Sequence, residues 1–588
     1  MKEFLKTTLA TIVGILIAGI VFTILGIITV SGMLMSSQPE TVVKDNSIFV
    51  LELSGTVAER YQENPLDQLL GEQLTTTGLD DILASIHKAK ENDKIKGIYL
   101  DAGLLTCGTA SLQEIREALL DFKKSGKFIV AYSGNYTQGT YYLASVADKI
   151  ALNPSGTISW HGLSAQSIFL KDLLDKIGVQ MQIFRVGTYK SYTETFTGTE
   201  MSPANREQTQ AYTQSIWQQL LTDVAASRNI SATQLNTLAD SCMDFRPAED
   251  CLRSRLADTL VYKDQLLSYL KQRMNVADDE KLNTLTLEDM INVKRNVPKD
   301  KSGNIIAVYY AVGDIDATTD PDPTEGIDSE RVIRDLQKLR NDESVKAVVL
   351  RVNSPGGSAY GAEQIWREVS LLKAEKPVIV SMGDYAASGG YYISCAADWI
   401  VAEPTTLTGS IGIFGMVPEA SELINNKLGV HIDGVKTNRL ADMGQIDRPM
   451  NEEEKALIQQ SVNSGYELFT KRCADGRNMP IDRLKEIAEG RVWSGSMAKE
   501  LKLVDELGGI QAALDQAVKR AQITEYTILS YPEKENLLSS LLNTRKENYI
   551  EGKLEATFGE YYHGFALLKK LKQADRIQAR LPFDLRIQ

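Results

Sequence analysis

The sequence is poor in the residues that build metal centres and disulfide frameworks. Of 588 residues only five are cysteine (Cys107, Cys242, Cys251, Cys395 and Cys473), and no two form a CxxC pair. That excludes a cysteine-rich zinc module and a disulfide-dense scaffold, and Cys242 and Cys251 are read as unpaired thiols. Histidine is scarcer still, at His87, His161, His431 and His563. His431 lies in a GVHID strand pattern and His161 in the other half of the chain; both are read as core or surface side chains. Basic residues are outnumbered, 64 against 77 acidic, for a net charge of −13. A nucleic-acid binder needs a basic face, so nucleic acid is excluded as a general partner. Hydrophobic residues at 43% nonetheless suffice for a packed core, which excludes a disordered chain.

Long apolar runs are also missing, with one exception. No charged residue occurs from Thr7 to Pro39, and Leu9 to Met35 is almost wholly apolar. About 20 helical residues cross about 30 Å of hydrocarbon, so the run is long enough to span. It exceeds the apolar stretch of a cleavable signal peptide. Lys2 and Lys6 precede it, which keeps the amino terminus cytoplasmic and sends the rest of the chain outside. The expectation is one membrane anchor over residues 1–40 carrying a soluble body.

The body contains a long repeat. FIVAYSGNYTQGTYYLASVADKIALNP from Phe128 matches VIVSMGDYAASGGYYISCAADWIVAEP from Val378 at an offset of 250. The same offset aligns the segments starting at Asn92 and Asp342. Two copies are therefore expected, at 45–295 and 300–530, with a charged connection over Asp278–Pro298 and a tail over 531–588 that yields no chemical reading. Each copy reads as α/β. Short β-branched runs (Ile95–Leu100 and Val345–Val352, then Phe128–Tyr132 and Val378–Met382) alternate with helical patterns (Ser111–Lys124 and Tyr360–Lys373). Such alternation implies crossover connections and a mostly parallel sheet.

Chemistry concentrates in the second copy. Ser388 lies between Ala386-Ala387 and Gly389-Gly390, directly after a predicted strand. A serine among small residues at a strand-to-helix turn can expose its hydroxyl, and the following amide, that of Gly389, can help hold an oxyanion. The same pattern fits a helix-capping serine. Upstream, the glycines of Asn353-Ser354-Pro355-Gly356-Gly357-Ser358 let backbone approach a ligand, with Gly357 as a second oxyanion donor, or form a simple turn. No GxxxxGK[ST] follows, so a phosphate loop is not indicated.

Comparing the copies sharpens this reading. The offset places Gln138 opposite Ser388, Thr106-Cys107 opposite Gly356-Gly357, and Trp160 opposite Ser410. Lys190, in Val186-Gly187-Thr188-Tyr189-Lys190-Ser191, aligns with Ala441. One copy keeps a serine and the other a lysine, which suits a single Ser–Lys dyad divided between them; taken alone, Lys190 would read as a solvated surface residue. A free lysine with pKa near 10.4 is no base at neutral pH, so the dyad requires burial, which can lower it by about 3–5 units. Ser410, in Thr408-Gly409-Ser410, is a candidate to orient the amine, or a capping hydroxyl.

Together, SMGDYAASGGYYIS, RVNSPGGS, TLTGSIGIFG and VGTYKS resemble the signal peptide peptidase A (protease IV) family in its long duplicated form. The resemblance runs from the anchor through both copies. It implies tandem ClpP/crotonase-like α/β repeats behind a single amino-terminal transmembrane helix. It also implies peptide hydrolysis with Ser388 as nucleophile, Lys190 as general base, Ser410 orienting the lysine, and Gly357 and Gly389 as oxyanion donors. It implies no metal or cofactor, a homotetramer in the bacterial cytoplasmic membrane with a periplasmic body, and signal-peptide remnants as substrates. Thr195 stands where the family pattern has proline. The competing expectations are a crotonase-type acyl-CoA enzyme and an inactive membrane-anchored scaffold of the same fold.

Overall fold

The computed structural model describes residues 11, 14, 18, 19, 40–61, 76–295, 300–316, 326–533 and 577–580. The expected anchor over Leu9–Met35 lies outside the described residues except at Thr11, Gly14, Ala18 and Gly19. Among the described residues no helix is long and apolar enough to cross a membrane.

Each repeat is built on a sheet whose central strands are apolar on both faces, as buried parallel strands must be. In the first, the strands Thr76–Gly78, Ser47–Ala58, Ile95–Thr106, Phe128–Tyr136, Lys149–Ile158 and Thr259–Leu260 lie side by side in that order. In the second the order is Val492–Ser494, Leu407–Gly409, Val378–Ala387, Val345–Ser354, Ile305–Val312 and Thr527–Tyr531. The offset of the sequence repeat holds in three dimensions. The strand Ile95–Thr106 corresponds to Val345–Ser354, and the helix Thr109–Lys123 to Ala359–Lys373. The long helices Pro203–Arg228 and Glu452–Gly476 close the two copies.

Two sequence expectations change. The segment Asp278–Pro298 is not a plain connection. Its Asn283–Leu285 strand pairs in parallel with Ser47–Ala58, and Leu285 and Met290 are buried in the first core. The GVHID pattern forms no strand, because residues 425–440 are almost entirely exposed and alternation there finds no sheet to join.

A buried polar seam joins the repeats. Arg351, on a central strand of the second sheet, is 1% exposed and meets two first-repeat carboxylates, Glu59 at 2.9 Å and Glu114 at 2.6 Å. Burial raises the pKa of Glu114, and the guanidinium opposes that shift. One strand over, Asp384 accepts hydrogen bonds from the Ala110 and Ser111 amides and the Ser111 hydroxyl. A second-repeat carboxylate thus meets free N–H groups in the first turn of a first-repeat helix, where negative charge is favoured.

The repeats also share a small antiparallel sheet. Its order is Gly356–Ser358, Ile577–Arg580, Phe414–Glu419 and Gln180–Arg185. The first-repeat strand Gln180–Arg185 pairs along its whole length with Phe414–Glu419 of the second. The expected tail of 531–588 is therefore partly integrated into the fold.

Removing one member of a buried ion cluster strands the other charges, at a cost of about 3–5 kcal/mol. Arg351→Met should lower unfolding stability by that order in urea titrations, and adding Glu59→Gln and Glu114→Gln should recover part of the loss.

Candidate active site

Ser388 and Ser410 are neighbours because their strands are. The strands Val378–Ala387 and Leu407–Gly409 run parallel in the register Ala387↔Gly409, so the next residue of each chain emerges at the same edge. Both serines adopt positive φ, 54° and 50°. Non-glycine residues pay a steric penalty there and hold such a conformation only where surrounding structure imposes it. Here the Ser388 amide donates to the Gly409 carbonyl at 2.8 Å and the Ser410 amide to the Arg491 carbonyl at 2.7 Å.

Lys190 arrives from the other repeat. It follows the strand Gln180–Arg185, whose pairing with Phe414–Glu419 fixes its approach. The lysine segment is then held from several sides. The Tyr189 amide donates to the Glu489 carbonyl. Gln208 donates to the Tyr189 carbonyl and the Ser191 hydroxyl, and accepts from the Val492 amide. Arg491 donates to the Tyr189 hydroxyl and lies over its ring. Gly490, at φ 76°, packs so closely that a β-carbon there would stand 2.7 Å from that of Lys190. Both the left-handed conformation and the contact require glycine.

The lysine side chain is fully buried and its Nζ donates to Ser388 Oγ at 2.7 Å, Ser410 Oγ at 3.0 Å and the Ser410 carbonyl at 3.0 Å. Burial alone drives the amine well below its ordinary value. An uncharged amine against a hydroxyl can accept its proton, which a charged ammonium cannot.

The two glycine-containing loops meet beside this cluster. A β-carbon at Gly356 would stand 2.8 Å from the Gly389 amide nitrogen and would overlap the Ala579 carbonyl oxygen. Gly357 is the central residue of the short strand that pairs with Ile577–Arg580. The sequence-predicted residues Ser388, Lys190, Ser410, Gly389 and Gly357 therefore converge in one chain. What sequence reasoning missed is the strand around Ala579, which enters the same place from the far end of the chain. No local signal marked it beyond the last apolar residues of the tail.

The corresponding place in the first repeat is filled. Gln138 accepts from the His161 and Gly162 amides and donates to the Gly162 carbonyl. Trp160, opposite Ser410, is fully buried, donates to the Leu235 carbonyl and packs edge-on against Tyr141. Ala441, opposite Lys190, is exposed in a loop. All five cysteines are free, and Cys107, Cys251, Cys395 and Cys473 are buried. His161 meets Asp244 at the surface of the first repeat. Among the described residues no cluster of His, Cys, Asp or Glu could hold a metal ion.

The chain is similar to known peptidases. A model of peptidase family S49 matches residues 121–277 and 370–524, one stretch in each repeat. A Clp protease model matches residues 321–402. Protease 4 of Salmonella typhi is 37% identical over 512 residues, spanning 84% of this chain and 82% of its own length. Protease 4 of Haemophilus influenzae is 34% identical over 581 residues, spanning 92% and 90%. The chloroplastic serine protease SPPA of Arabidopsis thaliana is 32% identical over 494 residues, spanning 83% and 71%. A solved mutant ClpP1 from Listeria monocytogenes shares 16% identity, covering 35% of this chain and 94% of its own, with a TM-score of 0.24. The fold and matches define a serine peptidase built from two α/β repeats. The chain belongs to peptidase family S49, in the long duplicated form of signal peptide peptidase A.

Burial of Lys190 has a consequence for stability. Its folded pKa lies below the unfolded value of 10.5, so between those two values the unfolded chain holds the extra proton. Stability therefore rises with pH across that window, by about 1.4 kcal/mol per unit. Lys190→Met should be more stable than wild type at neutral pH, with the gain shrinking as pH approaches 10. Urea midpoints at several pH values check the sign.

Proposed function

We propose that this serine peptidase is an endopeptidase that works through a Ser–Lys dyad shared between its repeats. The observation that carries this reading is the 2.7 Å hydrogen bond from Lys190 Nζ to Ser388 Oγ, with both side chains fully buried. Neutral Lys190 takes the Ser388 proton as the hydroxyl oxygen attacks a peptide carbonyl. The Gly357 and Gly389 amides stabilise the developing oxyanion. The ammonium then protonates the leaving amine, and the amine, neutral again, activates the water that releases the acyl group. Ser410 acts by position, offering two oxygens that aim the amine at Ser388. No metal or cofactor has a step in this scheme.

The chemistry needs an uncharged base, so the water-poor seam between repeats is functional as well as structural. It also separates this reading from an acyl-CoA enzyme, which would not need a serine at position 388, and from an inactive scaffold, which would not need a lysine brought from 198 positions away.

For the membrane we keep the topology that the sequence supports: one helix through the bacterial cytoplasmic membrane, with the catalytic body on the periplasmic side. The substrates are peptides, chiefly signal-peptide remnants, whose apolar character concentrates them at the bilayer where the enzyme is tethered. The working assembly is a homotetramer, and nucleic acid has no part in it.

The test is hydrolysis of casein by the purified full chain. Ser388→Ala and Lys190→Ala should each lower kcat/KM by about 10⁴-fold or more, as expected when residues act as one unit. Ser410→Ala should lower kcat by about 10²-fold through misplacement of the amine, with KM little changed. Full activity of Lys190→Ala at neutral pH contradicts the dyad.

A further inference from the structure

One buried side chain beside the lysine is not required by the repeat architecture. Gln208 lies on the helix Pro203–Arg228, which matches Glu452–Gly476 of the second repeat. Met201 aligns with Met450, and Arg228-Asn229 with Arg477-Asn478, at an offset of 249. That offset places Leu457 opposite Gln208. Leu457 is 42% exposed, whereas Gln208 is fully buried. An amide taken out of water is costly unless its donors and acceptors all find partners. The partners of Gln208 therefore show what it serves.

Its two ends reach the two sides of the site. The amide nitrogen donates to the Tyr189 carbonyl and the Ser191 hydroxyl, each at 3.0 Å, and these residues flank Lys190. The amide oxygen accepts from the Val492 backbone N–H at 3.1 Å. Val492 follows Arg491, whose carbonyl accepts from the Ser410 amide at 2.7 Å and so helps hold that serine at positive φ. A carbonyl only accepts and a backbone N–H only donates, so Tyr189 and Val492 fix which end of the amide faces which repeat. The side chain is braced from its own helix as well. Its nitrogen lies 3.3 Å from Asn205 Oδ1, and Asn205 donates to Glu194 of the lysine segment at 3.1 Å. Glu194 also accepts from the hydroxyl of Ser202, the residue that caps the Gln208 helix.

This link stands where regular pairing has ended. The ladder between Gln180–Arg185 and Phe414–Glu419 stops at Arg185, and past it the spacing of the lysine segment depends on individual contacts. Lys190 Nζ must still come within 2.7 Å of Ser388 Oγ and 3.0 Å of Ser410 Oγ on a flexible stem. A misplacement of about 1 Å is enough to lower a rate about 10²-fold. We propose that Gln208 is a positioning residue of the peptidase reaction, setting the distance between the Lys190 backbone and the Ser410 turn and so aiming the amine at Ser388. This rests on the Ser–Lys reading above. In this role Gln208 touches none of the reacting atoms, so it governs the chemical steps and leaves peptide binding unchanged.

The test is the kinetics of casein hydrolysis by the purified full chain, with rates referred to the folded fraction measured by circular dichroism. Gln208→Met keeps the length of the side chain and removes its hydrogen bonds. It should lower kcat by about 10²-fold with KM little changed. Combined with Ser410→Ala it should lose little more than the worse single variant, because both act through the aim of one amine; independent effects would multiply. Gln208→Glu keeps the shape and the acceptor for Val492, and carries the same cycle if the methionine variant does not fold. Its kcat should fall about 10-fold, again without multiplying. Wild-type kcat in both Gln208 variants, a loss carried by KM, or losses that multiply with that of Ser410→Ala overturn the proposal. So does full activity of Ser410→Ala, since the route runs through that residue. The dyad reading survives each of these results if Lys190→Ala is inactive in the same assay. Full activity of Lys190→Ala overturns both.

Discussion

The constraint on which everything else depends is the exclusion of water from a single lysine. In the proposed dyad, Lys190 can serve as a base only where the charged form is penalised. The protein meets this by lodging the side chain in the seam between two repeats, so that neither repeat alone could hold it. The interface features follow from that need. The strand Gln180–Arg185 is lent to the second repeat, Gln208 ties the lysine segment to Val492, and Gly490 clears room for the lysine backbone. The ion cluster around Arg351 and the Asp384 contact fix how the repeats meet. Asp384 shares its strand with the residues that lead into Ser388, so docking of the repeats and placement of that serine are mechanically linked.

Strain enters at the same point. Ser388 and Ser410 both hold positive φ beside the lysine. Such residues cost of order 1–3 kcal/mol each and cluster where geometry must be imposed. In the first repeat the pressure is absent. Gln138 and Trp160 fill the equivalent space with satisfied hydrogen bonds and aromatic packing.

Much of this was legible in the sequence because the repeat is nearly gapless where it matters. The offset of 250 located the sheet strands and helices in pairs, and the mismatches at Gln138 and Trp160, with that at Ala441 one residue further on, singled out Ser388, Ser410 and Lys190. Three features were not legible, each for a physical reason. The GVHID alternation predicts a strand only if a sheet edge is there to pair with, and among the described residues it pairs with none. Asp278–Pro298 looks like a linker by charge, yet its buried Leu285 and Met290 anchor it to the first core. The strand Ile577–Arg580 has no pattern of its own. Its pairing partners lie more than 150 residues upstream, and only backbone hydrogen bonding in the assembled sheet defines it.

The central claim is that the seam holds Lys190 uncharged at neutral pH, and the most direct measurement is the ionisation state of that amine. In the full chain with ¹⁵N-labelled lysine, the Nζ signal missing from Lys190→Met identifies it. The account predicts the chemical shift of a neutral amine at pH 7, moving to that of an ammonium only as the solution is acidified. An ammonium shift at pH 7 would contradict it.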